Sequence, residues 1–428
     1  MIAEDRQLTH DAPLIATIVA GLGLAFLFGL VAQRFRLPML AGYLLAGVVI
    51  GPFTPGYVAD QELAAELAEL GVVLLMFGVG LQFSVKELMA VRAIAIPGAL
   101  GQIAVATLAG VMVGWLSGWG IGAGLIFGLS LSVASTVVLL SALQNRRILK
   151  TRRGSIAVGW LIVEDLVMVV SLVLIPPLAG VLGGTAAPIS DEAVQAARLG
   201  LGPIAGMLLI TALKLAAFVA LMMVVGRKLI PAILHYVAMT GNRELFRLAV
   251  LATALGVAFG SAYMFGVSFA LGAFFAGMVM AESTLASQAM RETLPLRDAF
   301  AVLFFVSVGM LFDPQVVADA PLALLATVVV ILLVKSAAAF GIVRAFGYER
   351  RVALTIAASL AQIGEFSFIL IVMGQQLDIV PIEARDLVVA GAMISILLNP
   401  LLFHLSERWA ARFEPAADEP VASEPEDD

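Results

Sequence analysis

Residues 159–177 read GWLIVEDLVMVVSLVLIPP, an apolar run that contains two adjacent acids, Glu164 and Asp165. The run is about as long as the roughly 20 residues that a helix needs to cross a 30 Å hydrocarbon core. A charged side chain near the bilayer centre costs on the order of 3 kcal/mol, so it requires a partner or a function. The stretch therefore predicts a membrane helix whose middle carries the chemistry of the protein.

The rest of the chain has the same apolar character. Of its 428 residues, 61% are hydrophobic and 13% are charged, whereas a soluble domain is about 25% charged. The apolar runs are separated by short polar or Gly/Pro-containing breaks and lack the period-two alternation of barrel strands. The sequence contains no cysteine and only three histidines, so thiol chemistry is excluded and no metal cluster is expected. We predict an all-α polytopic membrane protein without a cofactor.

The apolar runs predict about 13 transmembrane helices. Thirteen helices can be divided as six, one and six, which would make the two six-helix blocks inverted repeats of the kind found in secondary transporters. The predicted helices span residues 14–32, 38–51, 66–83, 93–116, 120–143, 154–176, 200–226, 243–262, 266–282, 298–311, 321–343, 352–373 and 387–406.

Charge in the loops predicts the orientation. Most of the 25 basic residues fall in alternate loops, and the opposite loops hold Arg6, Arg198 and Arg385. By the positive-inside rule the N-terminus lies outside and the C-terminus in the cytoplasm of a bacterial inner membrane. The leader before the first helix lacks the basic region of a signal peptide, so that helix is expected to be retained. Residues 1–411 form the predicted membrane domain, followed by an acidic disordered tail, 412–428.

Glu164 and Asp165 are the leading candidates for an ion site. Two adjacent carboxylates in an apolar helix perturb each other's proton affinity, so such a group can trade a proton for a cation. Lys335 lies at similar depth in VVVILLVKSAAAFGIV and is the expected counter-ion for one of the acids, or forms a purely structural salt bridge. Lys214 lies nearer a helix end, and we expect it to be structural.

Two further helices carry polar residues at mid-membrane depth. LSLSVASTVVLLSAL contains Ser132, Ser135 and Thr136, and SLAQIGEFSFIL contains Gln362, Gly364 and Glu365. Such residues are typical of locally unwound helices whose carbonyl groups replace the water shell of a cation. Each of them taken alone could instead form an ordinary hydrogen bond between helices. Together with the acidic pair they supply the oxygen ligands that an alkali cation requires.

An ordered series of motifs resembles the monovalent cation:proton antiporter-2 family, and within it the Kef-type potassium antiporters. The likeness runs from about residue 12 to 408. The motifs are RLPMLAGYLLAGVVIGPFTPG, LGVVLLMFGVGLQFS, GWLIVEDLVMVV, GVSFALGAFFAGMVMAES, LRDAFAVLFFVSVGMLFDP and SLAQIGEFSFIL.

The resemblance implies the sodium/proton antiporter fold, with a dimerisation domain, a mobile core and two crossed discontinuous helices. By position, Asp165 matches the cation- and proton-binding aspartate and Glu164 the variable position before it. Lys335 resembles the lysine that pairs with this site in electrogenic exchangers, and 132–136 and 362–365 match the crossing regions. Kef-type proteins usually continue into a nucleotide-binding regulatory domain. We expect none in this chain, so regulation by nucleotide or glutathione is not inferred.

The expected function is exchange of K+, or Na+, for H+ at Asp165 by alternating access, in a homodimer in membrane lipid. No nucleic-acid partner is expected, and a cytoplasmic regulatory subunit is unidentified. One alternative is a gated potassium efflux channel. The other is a sodium-coupled organic anion carrier, for which Lys335 is the one candidate positive group. An enzyme is not expected, because no cluster of nucleophile, base and orienting group is evident.

Overall fold

A computed structural model describes residues 13–35, 37–82, 85–149, 151–185 and 203–413. Its regular secondary structure is helical, as predicted. The helices are α1 (Pro13–Arg34), α2 (Met39–Ile50), α3 (Gln61–Gln82), α4 (Val85–Leu116), α5 (Ile121–Ser132), α6 (Thr136–Asn145), α7 (Arg152–Leu178), α8 (Pro203–Leu221), α9 (Arg227–Met239), α10 (Arg243–Phe265), α11 (Phe269–Ala281), α12 (Ala286–Met310), α13 (Val316–Asp319), α14 (Pro321–Val329), α15 (Lys335–Ala345), α16 (Arg350–Leu360), α17 (Glu365–Gln376) and α18 (Ile382–Phe413).

The chain is a multi-pass membrane protein by the length and apolar character of these helices. Within the described ranges, nine helices are long and apolar enough to cross a membrane, or ten if α16 and α17, bent by 44°, form one span. Three further apolar helices, α2, α5 and α11, are shorter. The predicted count of about thirteen membrane spans therefore stays a prediction.

The helices fall into two bundles joined by the long helix α8–α9. The first bundle packs α1, α2 and α3 with α10, α11 and α12, and the second packs α4 to α7 with α14 to α18. The second helix of each six-helix block is short, 12 residues in α2 and 13 in α11. The fifth helix of each block is interrupted, between α5 and α6 and between α16 and α17. These matched features agree with two six-helix repeats on either side of a connecting helix.

Glycine lets helices approach closely within both bundles. A Cβ on Gly80 of α3 would overlap the carbonyl oxygen of Phe274 in α11, and one on Gly128 of α5 would overlap that of Thr107 in α4. Small residues at such contacts allow van der Waals packing between helices where lipid removes the usual hydrophobic drive. At these positions, glycine therefore allows the helices to pack closely.

Two predicted boundaries are wrong by about a dozen residues. The helix predicted to end at 226 passes through a π-helical turn, Met222–Gly226, and continues as α9 to Met239. The helix predicted to begin at 298 begins at Ala286 and contains Pro295. In both cases charged residues and a proline suggested a loop, whereas the chain continues as a helix. The helices predicted as 93–116 and 387–406 also extend further, from Val85 and to Phe413 respectively. The other described boundaries agree with the prediction to within about five residues.

Candidate ion site at the helix crossing

The two interrupted helices cross where their helical hydrogen bonding stops. α5 ends at Ser132 and α6 begins at Thr136, while α16 ends at Leu360 and α17 begins at Glu365. At the crossing, the Ser135 amide donates to Gln362 Oε1 at 2.9 Å, and Gln362 Nε2 donates to the Ser135 carbonyl at 3.2 Å. One glutamine thereby satisfies both backbone groups of the residue that faces it. Buried irregular backbone is tolerated at membrane depth only when its polar groups are paired in this way.

Gly364 is the point of closest approach between the two breaks. A Cβ there would lie 2.5 Å from the Ser135 Cβ and 2.9 Å from the Ser135 nitrogen. The backbone of Gly364 is extended, with φ −137° and ψ −158°, so glycine is required by space and not by conformation. The predicted crossing segments are therefore in direct contact.

Three buried carboxylates surround the crossing. Glu164 Oε2 accepts from the Ala134 amide at 2.9 Å, and Asp165 Oδ2 accepts from the Thr136 hydroxyl at 3.3 Å. Glu365 Oε2 accepts from the Ser135 hydroxyl at 3.3 Å. Each acid thus contacts the first interrupted helix at a different residue. The structure brings together most of the residues that the sequence singled out.

Two carboxylate oxygens have no hydrogen-bond partner within the described residues, Glu164 Oε1 and Asp165 Oδ1. The Asp165 side chain is 5% exposed and that of Glu164 is fully buried. Buried polar atoms in proteins are paired in the great majority of cases. These two oxygens are accordingly the atoms of the crossing that are available to a proton or a cation.

Lys335 lies at the second break. Its ammonium donates to the Gln362 carbonyl at 3.0 Å. A π-helical turn, Val330–Val334, immediately precedes it, and such turns often occur at functional sites. Lys335 therefore pairs a backbone carbonyl in the break between α16 and α17. Its role as counter-ion to one of the acids stays a prediction.

The serines of α5 bond within their own helix. The Ser132 hydroxyl donates to the Leu129 carbonyl at 2.7 Å, and the Ser130 hydroxyl donates to the Ile126 carbonyl at 2.9 Å. Such bonds are common for serine in a helix. The Ser132 carbonyl accepts from Gln102, and the role of Ser132 as a site-lining residue stays a prediction. Lys214 lies on α8, in the connecting helix and not at the crossing.

Three residues that the sequence analysis did not single out support the interrupted ends. Gln102 Nε2 donates to the Ser132 carbonyl at 2.9 Å at the end of α5. Asn399 Nδ2 donates to the Ala358 carbonyl at 3.0 Å at the end of α16, and the Ser336 hydroxyl donates to the adjacent Ala357 carbonyl at 3.1 Å. These donors satisfy carbonyls that a helix end leaves without an intrahelical partner. A lone amide in an apolar run was the available signal for Gln102 and Asn399.

Over the described ranges, no group of three or more His, Asp or Glu residues could hold a metal ion.

A solved structure shares this arrangement of helices. The structure aligns with that of the sodium proton antiporter MjNhaP1 from Methanocaldococcus jannaschii at pH 8, with a TM-score of 0.62 over 93% of this chain and 98% of that protein. The two sequences are 14% identical, so this likeness concerns the fold. It confirms the predicted sodium/proton antiporter fold.

The model of the sodium/hydrogen exchanger transmembrane family matches residues 22–404, and the chain belongs to that family. It is 58% identical over 405 residues to YbaL of Escherichia coli (strain K12), named as a cation/proton antiporter, covering 95% of this chain and 70% of YbaL. It is 32% identical over 397 residues to K(+) efflux antiporter 4 of Arabidopsis thaliana, covering 92% of this chain and 64% of that protein. The resemblance to Kef-type antiporters is confirmed, and the family is one of transporters.

Proposed function

We propose that the chain exchanges a monovalent cation for protons by alternating access, with K+ as the favoured cation and Na+ as the other candidate. The observation that carries this proposal is the environment of Asp165. One of its carboxylate oxygens accepts from Thr136, and the other is buried without a hydrogen-bond partner in the described structure. A proton or a cation can satisfy that second oxygen, and the two exclude each other there.

Competition for one carboxylate couples the two fluxes. The site crosses the membrane loaded with either a proton or a cation, so each crossing of one is matched by a return of the other. An empty carboxylate buried in the interior would carry an uncompensated charge, which is costly. That cost favours movement of the loaded site. Glu164 and Lys335 set the charge around Asp165.

Oxygen ligands suited to an alkali cation surround Asp165. Thr136 supplies a hydroxyl, and the unwound residues between α5 and α6 supply carbonyl groups whose helical hydrogen bonding is interrupted. Such hard ligands can replace part of the water shell of K+ or Na+. The preference for K+ rests on the relatives named as K(+) efflux antiporters.

The two-bundle architecture supports alternating access. The crossing lies wholly within the second bundle, so movement of that bundle against the first would carry the site across the membrane. We further propose a homodimer in the bacterial inner membrane, with the N-terminus outside and the C-terminus in the cytoplasm. The orientation rests on the distribution of basic residues.

Proton movement in proteoliposomes containing a pH-sensitive dye tests the proposal. K+, Na+ and choline are added in turn to wild type and to Asp165→Asn, which keeps the side-chain shape and an oxygen for Thr136. Asp319→Asn, at an exposed carboxylate of α13, is the matched control. We expect K+ or Na+ to drive proton release in wild type and Asp319→Asn, choline to drive none, and Asp165→Asn to be inactive.

Two outcomes would contradict the proposal. Coupled exchange that survives Asp165→Asn would remove the aspartate from its role. Cation flux without a proton signal in wild type would favour the gated channel.

A further inference from the structure

The unwound segment between α5 and α6 is held at the end of α5 and at its own middle residue by side chains of two other helices. The Ser132 carbonyl accepts from Gln102 Nε2 of α4 at 2.9 Å. Two residues on, the Ala134 amide donates to Glu164 Oε2 of α7, also at 2.9 Å. All four groups are buried. The segment is therefore held at a carbonyl and at an amide, from α4 and α7 respectively.

Trp160 links the two side chains that form these hydrogen bonds, Gln102 and Glu164. Its indole Nε1 donates to Gln102 Oε1 at 3.4 Å. Trp160 precedes Glu164 by one helical turn on α7, so both side chains lie on the same face of that helix. The three hydrogen bonds and this turn of α7 form a ring that runs from Ser132 through Gln102, Trp160 and Glu164 to Ala134.

Gly98 fixes the position of the indole in this ring. A Cβ at Gly98 would lie 2.5 Å from Trp160 Cη2 and 3.0 Å from Cε3. The backbone of α4 therefore lies directly against the indole ring, and Trp160 is fully buried. Gly98 precedes Gln102 by one turn, so the same face of α4 both seats the indole and presents the amide that bonds to it. The indole therefore cannot move toward α4 without overlapping its backbone at Gly98.

We propose that Gln102 and Trp160 are positioning residues that set the cation affinity of the site and its discrimination between K+ and Na+. The inference rests on the proposed exchange at Asp165. The unwound segment leads directly into Thr136, which donates to Asp165 at 3.3 Å, so the ring fixes the backbone next to the proposed ligands. A buried polar network whose members are paired is rigid, and cavity size and ligand rigidity govern selection among cations.

Two conservative variants open the ring without removing bulk. Trp160→Phe keeps an aromatic ring against Gly98 and removes the N–H, and Gln102→Met keeps the length of the side chain and removes both polar atoms. Trp115→Phe and Gln376→Met, at exposed positions of α4 and α17, are the matched controls. The half-saturating concentrations of K+ and Na+ and the maximal exchange rate are measured in proteoliposomes.

We expect the half-saturating cation concentration to rise roughly three- to tenfold in both ring variants, the effect of losing one neutral hydrogen bond. The ratio of the K+ and Na+ values should also change, while the maximal rate stays within about twofold of wild type, because affinity and not turnover is affected. The double variant should be no worse than the more severe single variant, because the two residues act in one ring.

The inference would be overturned if the ring variants had the same half-saturating concentrations, and the same ratio of the K+ and Na+ values, as the controls Trp115→Phe and Gln376→Met. A fall in the maximal rate alone would also overturn it. If Gln102→Met does not fold, Trp160→Phe decides the matter, together with the K+-dependent shift of its melting temperature in detergent. A wild type that moves no protons with K+ or Na+ would instead refute the proposed function, and the inference with it.

Discussion

Adding one methyl group at the crossing, by Gly364→Ala, should slow exchange by about tenfold or more without unfolding the protein. The new Cβ would lie 2.5 Å from the Ser135 Cβ and 2.9 Å from the Ser135 nitrogen. The nitrogen is a backbone atom of the opposing break and the Cβ is bonded directly to that backbone, so no side-chain rotation can move either atom away. The two breaks must therefore separate.

The size of the effect follows from this overlap. Inserting a methyl group into a close-packed interior costs about 1–3 kcal/mol. Separation of the breaks also lengthens the paired bonds between Ser135 and Gln362, now 2.9 and 3.2 Å, and each is worth about 1 kcal/mol. If about 1.4 kcal/mol of this total falls on the exchange step, the rate drops about tenfold. We expect at least that loss, with a lower melting temperature.

The assay is cation-driven proton release in proteoliposomes, with monodispersity and melting temperature in detergent measured on the same preparations. Gly341→Ala is the control, since a Cβ on this α15 glycine meets no atom within 4 Å, and alanine favours a helix over glycine by up to about 1 kcal/mol. The control should exchange normally and melt no lower than wild type. Wild-type exchange by Gly364→Ala would refute the claim that the breaks are in rigid contact.

Three further changes have distinct expected outcomes. Lys335→Met removes the ammonium that donates to the buried Gln362 carbonyl and leaves the buried acids without a compensating charge. It should therefore lower the free energy of unfolding by about 3–5 kcal/mol, which is measured as a fall in melting temperature. An unchanged melting temperature would contradict this stabilising role of Lys335. Gly98→Ala should displace the Trp160 indole and lower the free energy of unfolding by about 1–3 kcal/mol, again measured through the melting temperature. A melting temperature equal to that of wild type would contradict the close contact between Gly98 and Trp160. Glu407→Gln removes the partly exposed ion pair with Arg146, 2.9 Å in length, and should change stability by less than about 1 kcal/mol with exchange intact.

Much of the architecture follows from the sequence because it depends on local properties. Transfer of an apolar run from water to hydrocarbon is decided by the residues of that run, so the positions of the helices could be predicted from composition and length. The acidic pair, Glu164 and Asp165, was evident because a charge inside such a run is costly. The two polar stretches, one of which contains Gly364, marked the breaks for a similar reason.

Other features depend on contacts that the linear sequence does not encode locally. The bond between Ser135 and Gln362 joins residues 227 positions apart, and Gln102 reaches Ser132 from a different helix. The Ser132 hydroxyl bonds within its own helix, and it is the Ser132 carbonyl that accepts from Gln102. Such choices are made between competing partners, and only the packed arrangement decides which partner lies within about 3 Å.

The sequence by itself therefore determined that this is a helical membrane protein, where its helices lie, and which acids lie at its centre, because partition into lipid is a sum over local side chains. Tertiary structure alone decided how the site is built. It set Gly364 against Ser135, turned Lys335 toward a carbonyl, and closed the ring through Trp160. The physical reason is that a helix break exposes backbone groups which must be paired by whatever the packing of distant helices brings near.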